Sequence, residues 1–416
     1  MQRYVLKMFL RGKQIFSNAL RRAGQGSRIK KQIPMAQDIR YPSLKYIKPA
    51  ARRRIPHFVW EYLDSATGGE ATKDRNVRSL QAVTMMPAIL LGEIKPSTHQ
   101  TFLGQSFDLP FGIAPVGLSG AIWPDAERIL AREAAKSNIP YTLSTVACQT
   151  PETIGPICDG KGWFQLYPPR DPEVRRDMIN RIAAAGFKTL VVTVDIPAPS
   201  RRERQTRGGI TQPPALTPRI LAQIALRPRW ALGMAQFGRP EMPFVASYGN
   251  NVRGLPTTEH LGYLLRISPD TEYLKWVRDH WKGSLIIKGV LNPADCPRLE
   301  QIGADAIWVS NHAGRQFDGA PATVDVLPQI RAATKLPLVF DGGIEGGLDM
   351  MRALALGADF IMMGRSWHYA LGALGRKGPA HLTKILQQDL IANMSQLGLY
   401  NLQNCAQALW PQKNNR

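Results

Sequence analysis

His312 stands three residues before Arg315 in the run SNHAGR, directly after a short apolar stretch. Histidine titrates near neutrality, so it can take a proton from a substrate hydroxyl, and a carboxylate that orients the ring strengthens it as a base. Asp195 is the candidate carboxylate; it follows another apolar stretch, LVVTV at 190–194. Arg202 and Arg315 carry planar forks suited to a small carboxylate substrate. Lys288 closes a third apolar run, LIIK. There it can face an electron-accepting ring or sit in a buried ion pair, and the residues alone leave both open. Gly342-Gly343 and Gly364-Arg365 combine close backbone approach with a guanidinium, a pattern that suits a phosphate.

These residues need a scaffold that brings them together. After residue 108, short apolar runs alternate with helical patterns: 111–114, 141–144, 163–166, 190–194, 285–288, 306–309, 338–340 and 360–363. Unbroken apolar runs fit parallel strands buried on both faces. Helical patterns at 125–137, 172–185, 293–302, 322–334 and 346–356 lie between them, several opened by Pro124-Asp125, Asp171-Pro172 or Asn292-Pro293. Eight β-α units predict an α/β fold, a closed (β/α)8 TIM barrel. Polar and glycine residues cluster where each run ends, on the rim where barrels carry their chemistry: Val116-Gly117, Ser144, Gln165 with Tyr167, Thr193 with Asp195, Lys288, Ser310 with His312, Asp341 with Gly343, and Gly364-Arg365. The interval 196–283 is too long for an ordinary connection and reads as a lid or substrate loop, with a short helix over 219–226.

The 416 residues are 44% hydrophobic and 20% charged, which excludes a wholly disordered chain. No apolar run reaches the length of a spanning helix. Cys148, Cys158, Cys296 and Cys405 are scattered without a CxxC pair, so neither a disulfide framework nor a structural metal site is expected, and a reducing compartment is the default. The net charge is +21, of which +14 falls in residues 1–54 with their single acid, Asp38. The domain reading is therefore a basic N-terminal arm over 1–54, a barrel over 55–405 and a tail over 406–416. Tyr4, Phe9, Ile15, Phe16 and Leu20, among basic residues, suit a short amphipathic helix on an anionic membrane surface. An inert tail and a targeting peptide are the competing readings. No nucleic-acid module follows the arm, so nucleic acid is not an expected partner. The expected location is cytoplasmic, peripheral at the inner membrane if the arm docks there, with organellar targeting left open.

The run SNHAGRQFDGAPAT at 310–323 resembles the signature of the FMN-dependent 2-hydroxy-acid oxidase and dehydrogenase family. IAPVGL (113–118), TLST (142–145), FQLY (164–167), TVD (193–195), KGV (288–290), DGG (341–343) and ALGAD…GR (355–365) match in the same order. The pattern looks nearest to the bacterial L-lactate dehydrogenase branch. The resemblance implies FMN as cofactor. It places Val116 and Gly117 against the flavin ring and Ser144, Gln165 and Thr193 in hydrogen bonds to it. It sets Lys288 beside the N1–C2 carbonyl, and Ser310, Asp341, Gly343, Gly364 and Arg365 around the remainder of the cofactor. It further implies His312 as base, Asp195 as its orienting carboxylate, Arg202 and Arg315 on the substrate carboxylate, and Tyr62 and Tyr167 as substrate-site tyrosines. The implied reaction is oxidation of an L-2-hydroxy acid such as L-lactate to the 2-oxo acid. Family oxidases tend to carry Ala where this chain has Gly117, so the implied acceptor is a quinone or cytochrome. The implied assembly is a homotetramer.

Two departures bear on the site. Glu345 stands two residues after the DGG motif, where many members carry Arg, which leaves the phosphate to Arg365 and backbone amides. Ala313 replaces a glycine beside the base, a change expected to require negative φ there. The alternatives are an oxidase of the same fold that releases hydrogen peroxide, a non-catalytic flavin-binding scaffold, and a phosphate-site isomerase. The isomerase would not call for the His312 and arginine set. Val146 and the 196–283 loop are expected to shape the substrate side-chain pocket.

Overall fold

The structure is a computed structural model that describes residues 36–209, 216–249 and 267–410. The chain divides into two compact units, Met1–Arg40 and Tyr41–Arg416. Of the first, only its last residues are described, as the helix Ala36–Arg40. The amphipathic pattern over 4–20 lies outside the described residues.

The second unit is built on eight parallel strands: β3 (Phe111–Ile113), β4 (Tyr141–Ser144), β5 (Gly162–Leu166), β6 (Thr189–Thr193), β7 (Ser284–Val290), β8 (Ala306–Val309), β9 (Leu338–Phe340) and β10 (Phe360–Met363). They close into a barrel in which β10 pairs with both β9 and β3. Each strand lies within a residue or two of its expected apolar run. Side chains alternate across a strand, so each run divides into two sets. Trp163, Val191, Ile286, Trp308, Val339, Phe360 and Met362 fill the interior. Phe164, Leu190, Ile287, Ile307, Phe340 and Ile361 pack outward against the helices.

Two short strands precede the barrel, β1 (Gln100–Phe102) and β2 (Gln105–Phe107). They form an antiparallel hairpin whose turn residues, Leu103 and Gly104, both have positive φ. Phe102 and Phe107 join the interior cluster, with Phe102 stacking near Trp163 and Phe360. The hairpin thus plugs the end of the barrel away from the polar rim. Three-residue strands carry too little periodicity to be read from sequence.

The domain boundary differs from the sequence expectation. The helix Leu44–Arg54 buries Leu44, Ile47, Ala50 and Ala51. Ala51 and Ile55 meet Gly372 of the helix Arg365–Leu374. An apolar stripe at helical spacing hides among five basic residues, so the segment from Tyr41 onward packs as part of the barrel body and the arm ends at Arg40. The described tail is also held: Met86 donates to Ala408 O and Trp410 to Thr84 O.

The 196–283 interval is mostly helical where described: Glu203–Gly208, Pro218–Ala225, Pro228–Phe237 and Pro243–Ala246. Its last part, Thr271–His280, is the barrel helix before β7. Arg204 pins its start to the helix His57–Asp64, at 2.7 Å from Glu61 and 3.2 Å from Asp64, and reaches Glu70 at 2.9 Å. Trp230 Nε1 donates to Ala121 O at 3.1 Å, which anchors its middle.

Candidate active site

The two-residue ladder that fills the barrel interior also aims the rim. Trp163 leads to Gln165 and Tyr167, Val191 to Thr193 and Asp195, Ile286 to Lys288, Trp308 to Ser310 and His312, Val339 to Asp341 and Gly343, and Met362 to Gly364. Every one of these polar residues or glycines follows an inward side chain by two or four positions. They converge on a cavity of about 690 Å³, lined among others by Tyr62, Val116, Gly117, Tyr167, Arg202, Lys288, His312, Arg315, Asp341, Gly343, Gly364 and Arg365. Ser144, Gln165, Thr193 and Ser310 are buried at the strand ends beneath it.

His312 Nδ1 lies 3.2 Å from both oxygens of Asp195. Burial pushes the imidazole pKa below its usual value; Asp195 pulls it up, and Lys288 and Arg202 push it further down. Burial alone would raise Asp195, but the His312 charge and hydrogen bond and the more distant Lys288 hold it below the usual carboxylate range. The pair at neutral pH is therefore a neutral ring backed by a carboxylate. Room for that carboxylate comes from a bulge between Lys288 and Val290. Gly289 there has φ +106°, and a methyl on it would lie 2.6 Å from Asp195 Cβ.

The backbone beside the base is strained. His312, Ala313 and Gly314 have φ of 55°, 53° and 75°. Ala313 thus occupies the left-handed region, contrary to the expectation of negative φ. The turn is held by its surroundings: His312 N donates to Ser310 Oγ at 3.1 Å, and Arg365 Nη2 donates to Ala313 O at 3.2 Å. Asn311, just before it, exchanges amide hydrogen bonds with Asn76 at 2.8 and 2.9 Å. Strain of this kind persists only where neighbours enforce it.

Lys288 sits in the buried ion pair that one of its two sequence readings expects. It lines the cavity, and it also donates to Ser310 Oγ at 2.8 Å and lies 3.4 Å from Asp341. Asp341 further accepts from Ser310 Oγ and Trp308 Nε1, at 2.8 and 2.9 Å. Arg315 Nη1 donates to the carbonyls of Tyr62 and Ser65, at 2.9 and 3.1 Å. Burial and the like charge of Arg202 lower the Arg315 pKa to about 9, still well above neutrality. An incoming anion relieves that repulsion. Burial raises the Tyr62 and Tyr167 hydroxyls against the pull of the two arginines, so both stay protonated donors. Tyr62 gives its proton to Gly117 O at 2.8 Å. A methyl on Gly117 would lie 2.6 Å from Val146, which also lines the cavity.

The family model for FMN-dependent dehydrogenases matches residues 51–411. The chain belongs to that family. It is 39% identical over 359 residues to the L-lactate dehydrogenase of Pectobacterium atrosepticum, covering 84% of this chain and 92% of the relative. The L-lactate dehydrogenase of Stenotrophomonas maltophilia is 38% identical, over 84% of this chain and 93% of its own. Among solved structures, the monotopic membrane protein (S)-mandelate dehydrogenase superposes with a TM-score of 0.84 at 31% identity, covering 89% of this chain and 99% of its own. Mandelate oxidase with (S)-4-hydroxymandelic acid gives 0.75 at 30% identity, over 88% and 97%. This chain is an FMN-dependent oxidoreductase acting on a 2-hydroxy acid.

The residues present fit that cofactor. Gln165 Nε2 and Thr193 Oγ1 are buried with no partner among the described residues, while Gln165 Oε1 is already used by Ser144. Uncommitted polar atoms at strand ends are what the polar edge of a flavin ring requires. The cavity volume lies within the range of cofactor sites. Among the cavity residues that escaped the sequence reading are the basic Lys48, Lys73 and Arg78, from helices before the barrel. Nothing in their local sequence marks them, because only packing brings those helices to the rim.

Proposed function

We propose that the enzyme oxidises a small L-2-hydroxy acid, L-lactate or a close relative, and passes the electrons to a quinone or cytochrome. The observation that carries this reading is the His312–Asp195 pair facing one cavity with Arg202, Arg315 and Lys288. Arg202 and Arg315 bind the substrate carboxylate and orient the hydroxyl-bearing carbon, a positioning effect that accounts for a large share of such rate gains. Tyr167 donates to a substrate oxygen, and Tyr62, whose hydroxyl donates to Gly117 O, lines the same pocket. His312 takes the hydroxyl proton at its free nitrogen, and Asp195 stabilises the imidazolium that forms. Lys288 offsets negative charge that develops beside it. FMN, when bound, supplies the two-electron acceptor.

A peripheral place at a membrane, proposed together with it, suits this choice of acceptor. Among the described residues no helix is long and apolar enough to cross a membrane. The 203–241 segment holds no acid between its two end glutamates, and Leu221, Leu226 and Leu232 stand exposed among Arg219, Arg227 and Arg229. That composition suits the interface of an anionic bilayer. The mandelate dehydrogenase relative is itself described as monotopic. Residues 1–40 add basic charge to this reading. Self-association into a tetramer is supported by an exposed apolar strip at Ile89, Leu90 and Leu91.

The test is anaerobic bleaching of the flavin spectrum by a panel of L- and D-2-hydroxy acids, followed by air. Bleaching by an L-acid with slow return of colour supports the dehydrogenase. Rapid return with stoichiometric peroxide makes it an oxidase, and no bleaching by any acid, with flavin bound, favours the non-catalytic scaffold.

A further inference from the structure

The end of the cavity beyond Gly343 and Gly364 has an uneven charge layout. Three cations line it: Lys48, Arg78 and Arg365. Arg365 donates to the backbone carbonyls of Asp64 and Ala313 at 3.3 and 3.2 Å and has no acidic partner among the described residues. Arg78 has no hydrogen bond or ion pair among the described residues. Lys48 is tied to Asp64 at 3.1 Å. Glu345 lines the cavity as well, as do Asp74 and Asp341, and the Glu345 side chain has no hydrogen-bond or ion-pair partner among the described residues. Lys48 and Arg365 are the cations whose charge reaches it.

A structural role for the Glu345 side chain is already filled by another residue. It precedes the helix Gly347–Ala355, where a carboxylate would ordinarily serve as a cap. Asp389 does that work instead, accepting from Gly347 N, while Asp349 accepts from Glu345 N at 3.0 Å and from Arg352 at 2.8 Å. The carboxylate of Glu345 is left facing the cavity.

This is the end that β9 and β10 present, where barrels bind phosphate, and it holds the helix that starts at Arg365. A phosphate monoester there, carrying close to two negative charges at neutral pH, meets these three cations and, in Glu345, a like charge that stands on the loop after β9. We propose that Glu345 tunes cofactor retention: it opposes the phosphate that Lys48, Arg78 and Arg365 attract, so the enzyme holds FMN more loosely than its cations alone would. The inference rests on FMN as the cofactor and assigns the phosphate subsite to residues from three separate helices and one loop. Cofactor loading then follows the free FMN supply.

The experiment uses full-length protein freed of flavin, titrated with FMN and with riboflavin, which lacks the phosphate, and read by quenching of flavin fluorescence. Glu345→Gln should tighten FMN binding roughly three- to tenfold and leave riboflavin unchanged, and the gain should shrink at high salt. Arg78→Gln should weaken FMN by a similar factor, again without effect on riboflavin. Unchanged thermal midpoints of the flavin-free variants would show the helix start intact. Weaker FMN binding by Glu345→Gln, no change, or an equal shift for both flavins would overturn the proposal. Wild-type protein that binds neither flavin would instead sink the cofactor assignment itself.

Discussion

Asp195→Asn removes one negative charge and leaves the shape of the site almost unchanged. The carboxylate lies 3.2 Å from His312 Nδ1, and the two side chains are 13% and 19% exposed. Opposite charges about 4 Å apart interact by roughly 1 kcal/mol in water and roughly 4 kcal/mol at the effective dielectric of a protein. The burial here places the pair between those limits, at about 2–3 kcal/mol of stabilisation for the imidazolium formed when His312 takes a proton. Lost from the barrier, that is a slowing of roughly 30- to 150-fold. The assay is stopped-flow bleaching of the flavin spectrum by saturating substrate under anaerobic conditions. The pH profile supplies a second signature. His312 titrates below its usual value through burial, and Asp195 is the group that pulls it up. Without Asp195 the pKa falls further, so the acid limb of the profile moves to lower pH while the plateau drops. A variant within threefold of wild type, or an acid limb that moves upward, would falsify the role given to Asp195.

Three further perturbations test other parts of the site. Gly289→Ala puts a methyl 2.6 Å from Asp195 Cβ at φ +106°, so bleaching should slow at least tenfold while the far-ultraviolet circular dichroism stays that of a folded barrel. Arg315→Lys keeps the charge but loses the fork that reaches the Tyr62 and Ser65 carbonyls. Its apparent substrate Kd, from the concentration dependence of bleaching, should rise roughly tenfold or more. His368 is buried, and burial lowers its pKa from 6.5 to about 4 despite the Gly364 carbonyl. Between those values the unfolded chain binds a proton that the folded one does not. Stability is therefore full above pH 6.5 and declines as pH falls towards 4, by roughly 3 kcal/mol in total. In His368→Leu the stability-against-pH curve from urea melts should be flatter over that window by that amount; an unchanged slope would show that His368 does not titrate on unfolding.

The barrel was legible because its signals are local. Each buried parallel strand is an unbroken apolar run, and the alternation that sends Trp308 inward also sends Ser310 and His312 to the same rim. Helix starts were less dependable: Asp171 caps its helix by accepting from Glu173 N and Val174 N, but Asp125 adopts φ 60° and pairs with Arg128 instead. The rim residues needed no tertiary knowledge beyond closure of the barrel, because strand ends in a closed parallel barrel share one face.

By itself, then, the sequence determined the eight strands, the rim and the set of groups the rim carries, since those follow from periods of two along short segments. The tertiary structure alone decided what comes to the rim from outside the strands. It turned Leu44–Arg54 from an apparent part of a basic arm into a packed helix that delivers Lys48. It brought Arg78 to the end of the cavity that also exposes Glu345, and locked Arg204 onto Glu61, Asp64 and Glu70 across more than a hundred residues. It also forced Ala313 to positive φ against the preference of its side chain. Contacts between distant segments leave no period in the sequence, and a strained backbone is paid for by neighbours that only the folded chain assembles.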